Sequence, residues 1–274
     1  MRRIVLAMML AAVAQGAQAA DFPDLPVLRG SLRDGLRPAR WQGFYVGGQV
    51  GYGAADMNFT GSNSAMTARL LANTVIENDM QVSGWPLFMG RTSERQTGYG
   101  GFAGYNGQWG DVVLGLEANY LHANFNGNST ASASRISGAT LSDGQFHAVT
   151  ASSTAAMQIT DMGTIRGRAG YVYGSFMPYL FGGFALGSAN ISKSVTVSDQ
   201  WGPTQVDALA AVPVTLTASE TKNNQLLIGY SAGAGVDVLL AGGLFARAEY
   251  EYVRFTGSID TNISTVRGGL GYRF

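Results

Sequence analysis

The sequence predicts an all-β protein, an eight-stranded antiparallel up-and-down transmembrane β-barrel with long outer loops. Three observations predict it. Apolar and polar residues alternate with a period of two through eight segments, the signature of strands with two unlike faces. Charged residues are only 13% of the 274-residue chain, against about 25% in an ordinary soluble domain. Beyond the N-terminus, no stretch reaches the ~20 apolar residues of a spanning helix; the longest candidate, 208–214, is short and carries Pro213. In lipid only helices and closed barrels satisfy their backbone, so an exported, alternating chain points to a barrel.

Composition excludes several functions. Eighteen basic residues balance eighteen acidic ones, whereas a nucleic-acid binder is basic. The absence of cysteine removes disulfide scaffolds and Cys-ligated metal or cluster sites. Abundant aromatics with no net charge argue against a disordered chain.

The N-terminus reads as an export signal over 1–19. Arg2 and Arg3 form a basic start, 4–14 is an apolar run, and Ala17-Gln18-Ala19 is a small-residue cleavage site. Cleavage is expected after Ala19, leaving 16 basic and 18 acidic residues. Residues 20–41, with their prolines and alternating charge, are expected to be a periplasmic linker, and 42–274 the barrel.

The strands follow in order. Phe44 to Met57 sets Phe44, Val46, Val50 and Tyr52 opposite Gln49 and two glycines. Thr97 to Gln108 sets Ala103 and Tyr105 against Asn106, and Asp111 to Leu121 sets Val112, Leu114, Leu116, Ala118 and Tyr120 against Glu117 and Asn119. Asp161 to Tyr173 opposes Ile165, Ala169 and Tyr171 to Arg166 and Arg168. Pro178 to Ser188 is apolar on both faces, so its inward side is not assigned. Gln225 to Leu239 sets Ile228, Tyr230, Ala234, Val236 and Val238 against Ser231 and Asp237. Gly243 to Phe255 turns Arg247, Glu249 and Glu251 away from Ala246, Ala248, Tyr250 and Tyr252. Ile263 to Phe274 turns Thr265, Arg267 and Arg273 away from Val266, Leu270, Tyr272 and Phe274. Each segment is near the 9–11 residues of a tilted membrane strand.

Connections alternate. Short turns fall at 107–110, 174–176 and 241–243; the others span 59–96, 125–160, 190–224 and the shorter 256–262. Short periplasmic turns and long outer loops are the barrel pattern, which places both ends in the periplasm. Trp41, Phe44, Trp109, Tyr120, Tyr173 and Phe274 lie near strand ends, where a membrane interface favours them. Apolar spacing over 65–79 suits either a short helix or an irregular apolar loop in the first outer connection.

Eight strands enclose an interior that side chains can fill. The inward list is Glu117, Asp237, Glu249 and Glu251 against Arg166, Arg168, Arg247, Arg267 and Arg273. A near-balanced lumen suits an ion-paired plug, whereas an ion-selective pore favours one sign. Folding at the two hairpins is expected to bring Asp237 opposite Arg247 and Glu251 opposite Arg267.

Several motifs carry a family resemblance: Trp41-Gln-Gly-Phe-Tyr-Val-Gly-Gly48, Gly51-Tyr52, Gly104-Tyr105-Asn106, Leu114-Gly-Leu-Glu117, Arg166-Gly-Arg-Ala-Gly-Tyr171, Pro178-Tyr179 with Gly182-Gly183, and the terminal Gly271-Tyr-Arg-Phe274. In these the chain resembles the OmpA/OmpX-like, porin-family small outer-membrane barrels of alphaproteobacteria, over about 42–274 with gaps at the long loops. The resemblance implies the outer membrane of a Gram-negative cell, with outer-membrane lipids and the barrel-assembly machinery as partners. It also implies that Leu270, Tyr272 and Phe274 form the assembly signal. It is weak on activity, since this fold hosts pores, adhesins, haemin binders and structural proteins.

The leading expectation is a structural or surface-interaction barrel whose outer loops meet a surface ligand or host component. It takes no cofactor and is not an enzyme, because nothing selects a nucleophile with its base. A small diffusion pore and a haem-binding surface protein are the alternatives. The second would use His122 and His147, if the second outer loop folds back.

Overall fold

The computed structural model describes residues 40–274 apart from Phe88 and Ser258. The expected signal peptide and all but the end of the expected linker lie outside these residues. The described chain closes into one antiparallel barrel, β1 Gly43–Asn58, β2 Arg91–Trp109, β3 Val112–Ile136, β4 Phe146–Tyr171, β5 Phe176–Gly202, β6 Val214–Ala241, β7 Leu244–Thr256 and β8 Asp260–Arg273. Each strand pairs with its neighbours in sequence, and β1 closes on β8 from Tyr45 opposite Arg273 to Asn58 opposite Asp260. At the lower end the turns are tight. Gly110, Gly174, Gly242 and Gly243 all have positive φ there, which glycine adopts without a Cβ penalty.

The outward face carries an apolar band. On β1 it holds Phe44, Val46, Val50 and Tyr52; on β3, Val112, Leu114, Leu116 and Tyr120. Each run covers the residues a tilted strand needs to cross a bilayer. The Pro178–Ser188 stretch is resolved: Tyr179, Phe181 and Ala185 are buried while Leu180, Phe184 and Leu186 face out.

The expected loops 125–160 and 190–224 are corrected. β3 to β6 continue far above the apolar band, at 25, 26, 27 and 28 residues, and the chain reverses only at 137–145 and 203–213. Register irregularities between His122 and Phe125, Ile159 and Asp161, and Ala189 and Ile191 mark one level. Above it the outward residues change from apolar to Ser, Thr and Asn. There the outer face meets no hydrocarbon, so the contrast between faces fades and strand sequence looks like loop sequence. The β-branched Thr and Val content still favours strand.

The inward face of this four-stranded extension is covered by the first outer connection. That segment folds as two short helices, α1 Ser64–Leu70 and α2 Val75–Met80, rather than one. Met66, Leu71, Ile76 and Trp85 pack on Val149, Ala151, Val195 and Val197. Asn63 fixes the seat: its Nδ2 donates to Ser153 Oγ at 2.7 Å and to the Thr154 carbonyl at 3.0 Å. A third short helix, α3 Gln205–Ala210, closes the β5–β6 connection and is capped by Thr204, which accepts from the Asp207 N–H.

Candidate functional site: a charged layer between two apolar plugs

The barrel interior is layered. At the lower end Trp41, Tyr45, Phe102, Val113, Val172, Met177, Tyr179, Phe181 and Phe245 form an apolar plug. Trp41 was expected at the membrane interface with the other strand-end aromatics. It is instead 1% exposed and lies edge-on to Phe245 at 5.9 Å. It precedes β1, so the pleat that turns Phe44 outward does not govern it. Its backbone N–H donates to Gln108 Oε1 at 2.6 Å and its carbonyl accepts from Asn106 Nδ2 at 3.3 Å, which anchors it inside. Phe44, Trp109, Tyr120, Tyr173 and Phe274 are exposed on the outer surface. At the upper end Leu121, Phe125, Met157, Ile159, Met162, Phe255 and Ile263 belong to a second apolar cluster.

Between the plugs lie four carboxylates and four guanidiniums, their side chains 0–2% exposed. Period two places them: Glu117 on β3, Arg166 and Arg168 on β4, Asp237 on β6, Arg247, Glu249 and Glu251 on β7 and Arg267 on β8 all take inward positions. Glu117 is the hub. It accepts from Arg166 Nη2 at 2.5 Å and Nε at 3.0 Å, Arg168 Nη1 at 3.2 Å, Arg247 Nη1 at 2.8 Å and the Tyr45 hydroxyl at 2.8 Å. Asp237 accepts from Arg247 Nε at 2.8 Å and Nη2 at 3.0 Å and from Arg168 Nη2 at 2.6 Å. Glu249 binds Arg166 Nη2 through both oxygens, at 2.6 and 2.8 Å, and accepts from the Tyr179 hydroxyl at 2.6 Å. Glu251 pairs with Arg267 and, at 3.4 Å, with Arg166. Arg267 also donates to Asn119 Oδ1 at 2.8 Å, which is joined to Gln49.

Aromatic rings complete the layer. The guanidinium carbons of Arg166, Arg168 and Arg247 lie 3.9, 3.8 and 3.8 Å from the ring centres of Phe181, Tyr179 and Phe102. Stacking of this kind stabilises a desolvated cation by about 2 kcal/mol. These rings, with Tyr45, Gln49 and Asn119, are the part sequence reasoning missed as site residues. Tyr45 shares the parity of Gln49, so its inward position was readable. Tyr179 and Phe181 lie in the segment whose two faces are equally apolar.

Two expectations are corrected. Asp237 does stand opposite Arg247, but Glu251 stands opposite Thr265, and Arg267 opposite Glu249. The β7–β8 connection is tighter than expected, which slides the pairing by two residues and keeps every side chain on its face. The Glu251–Arg267 contact is therefore diagonal. Arg273 does not join the network. It lies at the lower rim beside Arg40, its Nε has no hydrogen-bond partner, and among the described residues no carboxylate pairs with it.

Neither histidine can meet the other. His122 Nδ1 is 2.9 Å from Asp161 at the level of the irregularities. His147 lies fourteen residues further up β4 from Asp161, about 45 Å away along the strand. A haem ligated by both is excluded. His147 is instead a clamp, with Nε2 2.9 Å from Asp143 and Nδ1 2.9 Å from Asp199. Burial would lower its pKa, but hydrogen bonds to Asp199 and Asp143 outweigh burial and raise it above the usual histidine value. Asp199 is raised by burial, against the pull of His147. Asp143 is lowered despite burial, by the Gln145 N–H and His147. A histidine whose folded pKa is raised contributes stability that is fully present below its unfolded pKa of about 6.5 and lost as pH rises through the folded value. Protection of the 137–145 hairpin amides, as factors corrected for intrinsic exchange, should therefore fall as pH rises from 6 to 9. His147→Gln should abolish the dependence.

A β-barrel with an apolar outer band and a filled interior is a membrane fold, and the sequence comparisons identify it. A model described as an outer membrane protein beta-barrel domain matches residues 4–274. The chain belongs to that family. This barrel thus resides in the outer membrane, with its apolar band in the lipid. It is 26% identical over 253 residues to a 22 kDa outer membrane protein of Rhizobium leguminosarum bv. viciae, covering 87% of this chain and 81% of that one. It is 27% identical over 175 residues to a 25 kDa outer-membrane immunogenic protein of Brucella ovis, covering 64% and 62%. Among solved structures it has a distant likeness to Ail of Yersinia pestis, with 13% identity, a TM-score of 0.33, and coverage of 85% of this chain and 99% of that one. A similar likeness to Neisserial surface protein A has 12% identity, a TM-score of 0.34, and coverage of 84% and 97%.

Proposed function

We propose that this outer-membrane barrel is a sealed structural element that presents a surface for interaction, and neither a pore nor a catalyst. One observation carries the reading: the desolvated, charge-balanced layer centred on Glu117 lies between two apolar plugs. A water-filled conduit keeps its charges hydrated and favours one sign. Here each carboxylate of the layer is met by guanidinium groups and the interior is occupied by side chains. Reconstituted in planar bilayers, the protein should show no steady conductance. A stable open channel would establish the pore reading in its place.

The chain reaches the membrane by cleavage after Ala19 and recognition of its last strand by the barrel-assembly machinery. Leu270, Tyr272 and Phe274 face outward. The Phe274 N–H donates to the Phe44 carbonyl at 2.9 Å, so the terminal residue lies at the β1–β8 seam. Deleting Phe274 should reduce insertion in cells several-fold and refolding in detergent far less. Equal losses in both would make the residue a structural closure only.

The outer part is where a partner is met. Its rim is the four-stranded extension with α1 and α2 rather than a set of loops, so the interaction surface is an ordered sheet. The surface ligand or host component would engage that sheet.

A further inference from the structure

The outward face of the extension is a lattice of hydroxyls without charge. Outward residues fall within 124–134 on β3, 148–158 on β4, 190–200 on β5 and 215–221 on β6, and none of them is Asp, Glu, Lys, Arg or His. Ser and Thr align across all four strands. In one row Ser132 stands opposite Ser152, Ser152 opposite Thr196, and Thr196 opposite Thr217. Hydroxyls bond across strands, as in Ser134–Thr150 at 2.8 Å, Ser152–Ser132 at 3.1 Å and Ser198–Thr215 at 3.0 Å. The charges of this region lie on the other side of the sheet: Lys193, Asp199, Glu220 and Lys222 alternate with the outward hydroxyls and share the face that carries α1 and α2.

This polarity is unusual for a sheet face in bulk water, which carries Lys and Glu to stay soluble. It is equally unsuited to lipid phosphates, which attract Lys and Arg. Uncharged hydroxyls lose less than ions on desolvation, and each both donates and accepts with a rotatable proton. Rows repeat about every 6.6 Å along the strands and 4.8 Å across them. The chemistry that fits is another array of neutral hydroxyls.

The position says where such an array stands. On β3 the lipid-facing Leu116 and Tyr120 lead straight up into Asn124, Asn126 and Asn128 on the same face. The lattice therefore looks sideways along the membrane, at whatever stands on the neighbouring outer-leaflet lipids. In an outer membrane these lipids carry sugar chains. We infer that this face is a lateral docking surface for the neutral sugars of outer-leaflet lipopolysaccharide. The inference rests on the surface-interaction reading and names its partner. It is independent of the sealed lumen, so a conductance result leaves it untouched.

The test uses full-length mature barrel, methyl-labelled at threonine and valine, in nanodiscs of phosphatidylcholine. Three membranes are compared: phospholipid alone, with lipid A, and with lipopolysaccharide bearing a neutral O-polysaccharide. Resonances of Thr150, Thr154, Thr196 and Thr217 should shift only in the third and show transfer to sugar protons, while buried Val149 and Val195 methyls stay in place. Two variants separate the hydroxyl role from folding. Ser152→Ala with Thr196→Val keeps strand shape, and Ser152→Asp with Thr196→Asp adds charge; both should lose the shift at the remaining threonines. Equal shifts with lipid A would assign the contact to headgroup phosphates and overturn the proposal. No shift in any membrane would leave a merely solvated face and overturn it equally.

Discussion

Glu117→Gln should lower the unfolding free energy of the barrel in lipid vesicles by about 3–5 kcal/mol, the range for removing one partner from a buried ion network. It should be the largest loss among the single substitutions of lumen carboxylates, because Glu117 alone of the four meets three guanidiniums as hydrogen-bond partners: Arg166, Arg168 and Arg247. Glutamine keeps the shape and can still accept from Tyr45. What it removes is the charge, leaving one excess cation in a compartment from which neither apolar plug admits water freely. Urea titration of the refolded protein reads the change. Glu220→Gln is the matching control. Its Lys222 pair at 3.0 Å is largely exposed, and such pairs contribute little in water, so no measurable shift is expected. Similar midpoints for the two variants would mean that the lumen charges are hydrated.

The arginines also explain why the layer tolerates no simple exchange of cation. Arg166 spans Glu117, Glu249 and Glu251 with one planar fork while its face lies on Phe181. A lysine would supply the charge but neither the fork nor the stacking plane. The same crowding accounts for glycine at inward positions beside the layer. A Cβ at Gly183 would lie 2.1 Å from the Ile165 carbonyl oxygen and 2.6 Å from the Arg166 Cα, both in backbone that the sheet holds fixed.

Much of this was legible in the sequence where lipid supplies the contrast. Glu117 between Leu116 and Ala118, or Glu249 between Ala248 and Tyr250, declares its face because one side of the strand cannot be charged. The upper sheet was not legible for the complementary reason. Ser132 and Ser134 look outward into an aqueous or sugar layer and Ala131 and Ala133 look inward, a difference too small to mark a strand. Parity alone could not assign Tyr179 and Phe181, since Leu180 and Phe184 are as apolar as they are. Nor could it set the register of β7 on β8, which depends on how tightly the chain turns after Thr256. Trp41 was misplaced because an aromatic near a strand end suits both a membrane interface and a lumen plug. Only the hydrogen bonds of its backbone, donated to Gln108 and accepted from Asn106, decide between them.

The lumen charges are expected to act as coupled pairs in a sealed interior. A double-mutant cycle on Glu251 and Arg267 tests this most directly. Glu251 touches Arg267 and Arg166, and Arg267 touches Glu251, Thr265 and Asn119. Each single change to glutamine strands an opposite charge and should cost about 3–5 kcal/mol. The double variant removes both charges together, so its cost should fall short of the sum by about 2–3 kcal/mol. Urea midpoints of the wild type, Glu251→Gln, Arg267→Gln and the double variant give the coupling. A shortfall of that size is the predicted result; strict additivity would contradict a paired, sealed lumen.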